Sequence, residues 1–277
     1  MMLTDTKAIV LARGLGTRMQ VSDTEAEVSI AQARAADVGH KAMMPLAFGR
    51  PFLDWVLSAL ADAGVRDICL VIAPDHVAIR HYYSALTLTR IRISFALQPE
   101  ARGTADAVLA AEAFVRDERF MVLNGDNYYP ADAYRALISL GGSGLAAFER
   151  ESLLAHGNIG PDRIARYALA DVDEDGLLRR IVEKPDAAAM AAWSGPQFVS
   201  MNLWMLPREI FVACRAIRPS LRDEQELPVA VQYAIDELGV ELRAVPMRGP
   251  GAGVLDLTSR ADIQTVTARL SGRRPVL

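Results

Sequence analysis

The chain has 277 residues and a formal charge of −4, from 30 basic and 34 acidic residues, with 51% hydrophobic and 23% charged residues. That composition lies in the globular range and excludes a disordered chain, and the absence of a basic excess excludes the electrostatic footprint of a nucleic-acid binder. Two distant cysteines (Cys69 and Cys214) give no disulfide framework or zinc pattern, no apolar run is long enough for a membrane helix, and the N-terminus lacks a signal-peptide core, so a soluble, cytoplasmic protein is expected.

The predicted elements follow in chain order. Lys7 to Ala12 reads as a short buried strand ended by Gly14 and Gly16. Residues 20 to 40 are polar and Ala-rich without clear periodicity and read as a long loop with at most a short helix. Pro51 to Ala63 carries apolar residues at helical spacing between an opening Pro and a closing Gly. Strand Ile68 to Ala73, helix Asp75 to Ser84, strand Ile91 to Gln98, helix Thr104 to Phe114 and strand Phe120 to Asn124 come next. An alanine-rich helix and a strand at Gly144 to Glu149 complete this half. The alternation predicts an α/β fold: a Rossmann-like, mostly parallel sheet with helices on both faces.

The second half has a different texture. Ile164 to Val172 and Leu177 to Val182 flank Asp173-Glu174-Asp175-Gly176, a hairpin signal. A strand at Phe198 to Leu206, helices at Pro207 to Ala216 and Leu227 to Leu238, strands at Gly239 to Met247 and Ala252 to Leu255, and a helix at Thr258 to Leu270 follow. We read an antiparallel substrate-binding region inserted in one domain, with no linker, repeat or low-complexity tract. The expected division is a nucleotide-binding part at about 1–150, a substrate part at about 151–257 and a terminal helix from 258.

Lysine usage adds a hint. Only Lys7, Lys41 and Lys184 are lysines; the other basic residues are arginine. A lysine here flags a place that needs a compact ammonium rather than a planar fork.

The Gly-rich run Leu11-Ala12-Arg13-Gly14-Leu15-Gly16-Thr17-Arg18-Met19 leaves the first strand. Such a turn exposes backbone N–H groups at the carboxyl edge of the sheet, where open α/β sheets bind ligands and where phosphates are cradled. It is neither a Walker A loop, which needs Gly-Lys-Ser/Thr, nor a dinucleotide fingerprint, which needs a third Gly where Met19 stands. By itself it also reads as a tight turn.

Six further motifs follow in order: Lys41-Ala42-Met43-Met44-Pro45, Gln98-Pro99 with Gly103-Thr104-Ala105-Asp106-Ala107, Asn124-Gly125-Asp126, Glu183-Lys184-Pro185, Glu226-Leu227-Pro228, and Leu255-Asp256-Leu257. In this order, over nearly the whole chain, the set resembles the sugar-1-phosphate nucleotidylyltransferases, the NDP-sugar pyrophosphorylases. The resemblance implies that a nucleoside triphosphate and a sugar 1-phosphate are joined with release of pyrophosphate, by Mg²⁺-dependent in-line attack at the α-phosphate. The nucleophile is a phosphate oxygen, anionic near neutral pH, so no general base is needed; none of the four histidines (His40, His76, His81, His156) falls in these motifs. Repulsion between two polyanions is the obstacle, met by positioning and charge neutralisation.

By resemblance, Arg18 and Lys41 hold the triphosphate and Lys184 the sugar phosphate, as catalytic residues. Leu11, Ala12, Arg13, Gly14, Gly16 and Thr17, with Gln98, Gly103 and Thr104, bind the nucleotide. Glu183, Asn202 and the Ala168 position contact the sugar, and Asp126 and Asp256 ligate Mg²⁺. Read without the resemblance, Asp126 is equally a turn aspartate, Asp256 a residue near a helix start and Asn202 a structural amide, while Arg18 reads first as a solvated cation.

Departures from the family pattern are Arg13 in the loop, an insertion of about a dozen residues between Arg18 and Lys41 that reads as a candidate lid, and Tyr167-Ala168 where Tyr-Gly is common. No hexapeptide repeat follows, so a fused acyltransferase is not expected. The resemblance allows a homo-oligomer, and no nucleic-acid or membrane partner is expected. Three other readings stand beside it: a non-catalytic nucleotide-sugar-binding regulatory subunit, a transferase for a non-sugar phosphate, and a glycosyltransferase using Asp171-Val172-Asp173 or Asp173-Glu174-Asp175 to hold a metal.

Overall fold

A computed structural model describes residues 6–23, 26–116, 119–183, 185–186, 193, 196–220 and 223–277. In chain order the strands are β1 (Lys7–Leu11), β2 (Asp67–Ile72), β3 (Arg92–Leu97), β4 (Phe120–Asn124), β5 (Asn127–Tyr128), β6 (Gly144–Glu149), β7 (Ala168–Val172), β8 (Leu178–Val182), β9 (Phe198–Leu206), β10 (Arg243–Met247) and β11 (Leu255–Asp256). The helices are α1 (Thr17–Gln20), α2 (Ile30–Asp37), α3 (Phe52–Asp62), α4 (Val77–Ala85), α5 (Thr104–Ala110), α6 (Ala131–Ser139), α7 (Arg150–His156), α8 (Pro161–Ile164), α9 (Ile210–Ala216), α10 (Leu227–Leu238) and α11 (Arg260–Leu270).

The main sheet runs β10-β6-β9-β4-β1-β2-β3, with the β7–β8 hairpin added at β9. The β4–β1–β2–β3 half is parallel throughout, as is the β10–β6 pair, and β9 runs antiparallel between β4 and β6. β9 is therefore a central strand of the main sheet as well as the anchor of the antiparallel region. Strand alternation builds two cores: Ala8 and Val10, Ile68 and Leu70, and Met121 and Leu123 face one helix layer. Ile9, Cys69 with Val71, and Phe120 with Val122 face the other. Both faces are covered, so the strands read as continuous apolar runs.

Several predicted boundaries move, each for a local reason. The helix from Thr104 stops at Ala110 and tightens into a 3₁₀ turn at Glu112–Phe114, where Lys7 Nζ donates to Phe114 O at 3.1 Å. The strand predicted from Ile164 begins at Ala168, because Gly160 and Pro161 start α8, with Pro in the first turn where its missing N–H costs nothing. Gly239 is the left-handed cap of α10 (φ 66°), so β10 starts at Arg243 rather than Gly239. Residues 249–252 form a 3₁₀ turn around Gly249-Pro250-Gly251 rather than the start of a strand.

Residues 20–40 hold one eight-residue helix, α2, opened by a Ser29/Gln32 capping box. This segment is tied down rather than projecting. Arg260 of α11, 9% exposed, donates to Met19 O and Val21 O, both at 3.1 Å, and to Asp37 at 2.6 Å.

The Phe120 and Phe211 rings stack at 5.1 Å between β4 and α9, both buried. Phe120→Ala should cost about 3–5 kcal/mol through lost burial and the cavity left behind, read as a lower midpoint in urea unfolding.

Candidate active site

A cavity of about 600 Å³ opens at the carboxyl ends of β1, β3 and β4 and extends over β7 and β9. Every residue assigned a site role from the sequence lines it except Lys184, which lies outside the described residues.

The loop after β1 is shaped by one close approach. Gly16 has φ 61°, and a Cβ there would sit 2.1 Å from Gly39 O. Only glycine fits, and the contact brings the end of the 20–40 segment, and so Lys41, to the loop. Lys41 Nζ lies 3.0 Å from Asp126 Oδ2. Arg18 is exposed on the cavity rim. Arg13, expected to bind the nucleotide, lines the cavity. It reaches across to the end of β3, donating to Gln98 O (3.5 Å) and Pro99 O (3.3 Å), while its Nη1 is buried without a partner.

Gly103 (φ 101°) packs against Gln225, where a Cβ would lie 2.4 Å from the carbonyl oxygen. The Leu227 N–H donates to Thr104 Oγ1 at 2.8 Å, so Thr104 joins α5 to the first turn of α10. This bond explains why the Gly-Thr-Ala and Glu-Leu-Pro segments meet.

Asp126 follows the turn after β4, and Asp256 ends β11. The two-stranded β5–β11 ribbon pairs Asp256 with Asn127, and the Leu257 N–H donates to Asp126 O at 2.9 Å. Asp256 is 2% exposed. Burial and then the Asp126 charge push its carboxyl above the ordinary value, and Arg163 opposes them. Arg163 Nη2 lies 2.8 Å from Asp256 Oδ2, which also accepts from the Tyr167 hydroxyl, and Thr258 Oγ1 donates to Oδ1 at 2.6 Å. Arg163 is held from behind by Asp262 at 2.6 Å.

Across the cavity, Asn202 sits in β9 with φ 56°, at an irregularity in the β6–β9 register. Its Oδ1 accepts from Trp204 Nε1 at 3.2 Å, leaving Nδ2 as its donor toward a ligand. Ala168 begins β7, paired with Ser200, and Glu183 lines the same end. The hairpin acids behave as turn residues: Asp173 Oδ1 accepts from the N–H groups of Asp175 (3.0 Å) and Leu177 (2.8 Å). None of Asp171, Asp173 and Asp175 lines the cavity.

Several lining residues lay outside the motif reading. Arg163, Arg166 and Tyr167 come from the α8 turn, and His40 and His76 pack edge to face with centroids 5.2 Å apart. Tyr167 neighbours a flagged position. The others had no signal in the sequence, since their roles depend on which loops meet.

The site suits Mg²⁺ on its donor chemistry. The described residues hold no group of three or more His, Cys, Asp or Glu side chains placed to bind a metal. Mg²⁺ commonly takes one or two carboxylates and completes its shell with substrate phosphates and water. Asp126, about a third exposed and paired with Lys41, fits that role. Both Asp256 oxygens are already engaged, Oδ2 by Arg163 and Tyr167 and Oδ1 by Thr258, and Oδ1 keeps a second lone pair that a cation can meet.

An α/β sheet with a phosphate-type loop, cations and paired carboxylates at its carboxyl edge defines a nucleotide-site architecture. A family model described as nucleotidyl transferase matches residues 35–247, and the chain belongs to that family. It is 27% identical over 244 residues to a glucose-1-phosphate thymidylyltransferase of Streptomyces antibioticus, covering 88% of this chain and 61% of that protein. The chain thus spans about three-fifths of that relative. It is 25% identical to the UTP–glucose-1-phosphate uridylyltransferase AglF of Haloferax volcanii, covering 83% of each. A UDP-glucose pyrophosphorylase crystallised with UDP-glucose shares the fold, with a TM-score of 0.72 at 18% identity over 98% of this chain and 100% of that one. Among the described residues no helix is long and apolar enough to cross a membrane.

Two outcomes follow. Arg163→Ala leaves two nearly buried carboxylates without their cation and should cost about 3 kcal/mol; chemical denaturation should show part of this recovered in Arg163→Ala/Asp256→Asn. His76, 9% exposed with Nδ1 unpartnered, is held below its ordinary 6.5 by burial and then by the His40 charge, against Asp75. Its contribution to stability is therefore full above pH 6.5 and is lost as pH falls through the folded-state value. His76→Phe should lose less stability than the parent between pH 7.5 and 5, measured by urea midpoints.

Proposed function

We propose that the protein transfers a nucleotidyl group from a nucleoside triphosphate to a sugar 1-phosphate and releases pyrophosphate. The reading rests chiefly on one arrangement. The Gly14–Gly16 loop, Arg18, Lys41, Asp126, Asp256, Glu183 and Asn202 all line a single cavity. Relatives named for glucose-1-phosphate thymidylyl and uridylyl transfer support the same substrates for this chain.

The triphosphate lies along the loop N–H groups and Arg18, with its base toward Gln98 and Gly103. Lys41, already charge-paired with Asp126 at 3.0 Å, turns its ammonium to the phosphates. The sugar sits under β7 and β9, with Asn202 Nδ2 and Glu183 meeting hydroxyls and Lys184 taking the phosphate. One oxygen of that phosphate attacks the α-phosphorus in line. A new P–O bond forms, the bond from the α-phosphorus to the bridging oxygen breaks, and pyrophosphate leaves with those electrons. The nucleophile arrives deprotonated, so the residues supply position and charge rather than a base. Asp126, with Asp256 behind it, would hold Mg²⁺ against the triphosphate, where it would offset the charge developing on the phosphate oxygens.

The test is a pyrophosphate-release screen crossing ATP, CTP, GTP, UTP and dTTP with sugar 1-phosphates, with and without Mg²⁺. A Mg²⁺-dependent hit is expected; a blank from folded protein sinks the reading. Asp126→Asn should lower kcat about 100-fold or more with an unchanged melting temperature. A near-parental rate at saturating Mg²⁺ would remove Asp126 from the metal role.

A further inference from the structure

The buried carboxylate at the end of β11 already has a cation beside it. Arg163 of α8 lays one guanidinium fork between two acids, with Nη2 2.8 Å from Asp256 Oδ2 and Nη1 2.6 Å from Asp262 Oδ1. The two acid side chains are 3% and 7% exposed, whereas that of Arg163 is 23% exposed and lines the cavity. Asp262 is fixed from its other side. Its Oδ2 accepts from the N–H groups of Thr258 (3.1 Å) and Ser259 (2.7 Å) and so caps α11. Asp256 is held as firmly. Asn158 accepts from its N–H at 2.7 Å and donates to its carbonyl at 2.9 Å. Tyr167 donates to Oδ2 beside Arg163, and Thr258 Oγ1 donates to Oδ1 at 2.6 Å.

The two oxygens of Asp256 are therefore unequal. Oδ2 faces a guanidinium and a hydroxyl, so a divalent ion on that oxygen would lie against the arginine charge. Oδ1 meets one hydroxyl and keeps a lone pair. Charge points the same way. Asp126, Asp256 and Asp262, taken with Lys41 and Arg163, leave a single negative charge. One divalent ion reverses that sign, and a second would enter a cluster that is already positive. Without Arg163 the gap would present two nearly buried carboxylates with no counter-charge between them. Buried charges of this kind are paired or coordinate a metal.

We infer that Arg163 stands in for a second metal ion: its fork fills the gap between Asp256 and Asp262, and leaves Asp256 only Oδ1 to offer to a divalent cation. Arg163 is thus a positioning residue, acting through Asp256 rather than on substrate. The inference rests on the reading of Asp126 and Asp256 as the metal carboxylates.

The experiment counts bound Mn²⁺ by electron paramagnetic resonance of the free ion, with Mn²⁺ alone and no nucleotide. The native protein, Arg163→Lys, Arg163→Ala and Arg163→Ala/Asp262→Asn are compared, each with melting curves in the presence and absence of Mg²⁺. The native protein should take up no more than one ion per chain. Arg163→Ala should take up one ion more than the native protein, and Mg²⁺ should raise its melting temperature by a larger step. Arg163→Lys, which keeps a cation in the gap, should match the native count. The double variant should lose the gained ion. Folding of Arg163→Ala only when Mg²⁺ is present would support the inference equally. Two ions on the native protein, no gain in Arg163→Ala, or a gain that survives Asp262→Asn would overturn it. So would an Arg163→Ala that stays unfolded at every Mg²⁺ concentration, since the metal then fails to replace the arginine. If turnover needs no divalent ion, the metal reading of Asp126 and Asp256 fails separately. The difference in Mn²⁺ count between the native protein and Arg163→Ala then still decides the role of Arg163.

Discussion

Two carboxylates held close together near the phosphate loop are the constraint on which the rest of the site depends. Asp126 lies in the turn before β5 and Asp256 ends β11, where it pairs with Asn127, and the Asp126 charge adds to burial in raising the cost of charging Asp256. Cations answer that cost. Lys41 meets Asp126 from the segment after α2, and Arg163 meets Asp256 from α8, itself held by Asp262 of α11. Chain segments far apart in sequence are thereby drawn to one edge of the sheet. On the proposed reading, a substrate rich in phosphate would enter a site where cations and anions are already paired.

The second constraint is closeness of backbone. The β1 loop and the Gly39 turn touch at Gly16, and the Gly-Thr-Ala segment touches Gln225 at Gly103. Both contacts fall where φ is positive, so conformation and space ask for the same residue. These two contacts join the sequence motifs into one cavity wall. Arg260 does similar work at longer range, binding three groups of the 19–37 segment from the last helix. The insertion is thus part of the wall around the loop.

The site also shows how little of a buried amide remains for a ligand. Asn202 gives its oxygen to Trp204 and keeps a donor, whereas Gln98 gives its nitrogen to Gly103 and Asp106 and keeps an acceptor. The two amides face the cavity with opposite polarity. Local neighbours, rather than residue type, decide what each can recognise.

Much of this was legible in the sequence. Strand and helix alternation follows from the spacing of apolar residues, which chain stiffness and burial require whatever the tertiary context. The Gly-rich, Gly-Asp and Glu-Lys-Pro motifs each place residues on the cavity wall, because they follow strands whose ends meet at one edge of the sheet. Scarcity of lysine marked Lys41, although Lys7 turned out to hold the Phe114 carbonyl. The sequence could not show that β9 lies in the centre of the main sheet, since pairing partners are set by topology rather than by the strand's own pattern. Nor could it show that Arg13 spans to Gln98, that Arg163 occupies Asp256, or that Asp106 orients Gln98. Each of those is a contact between side chains and loops whose meeting is decided by packing. The local chain determined which chemical groups are present and which elements carry them; only the tertiary structure decided which hydrogen of which group is already spent.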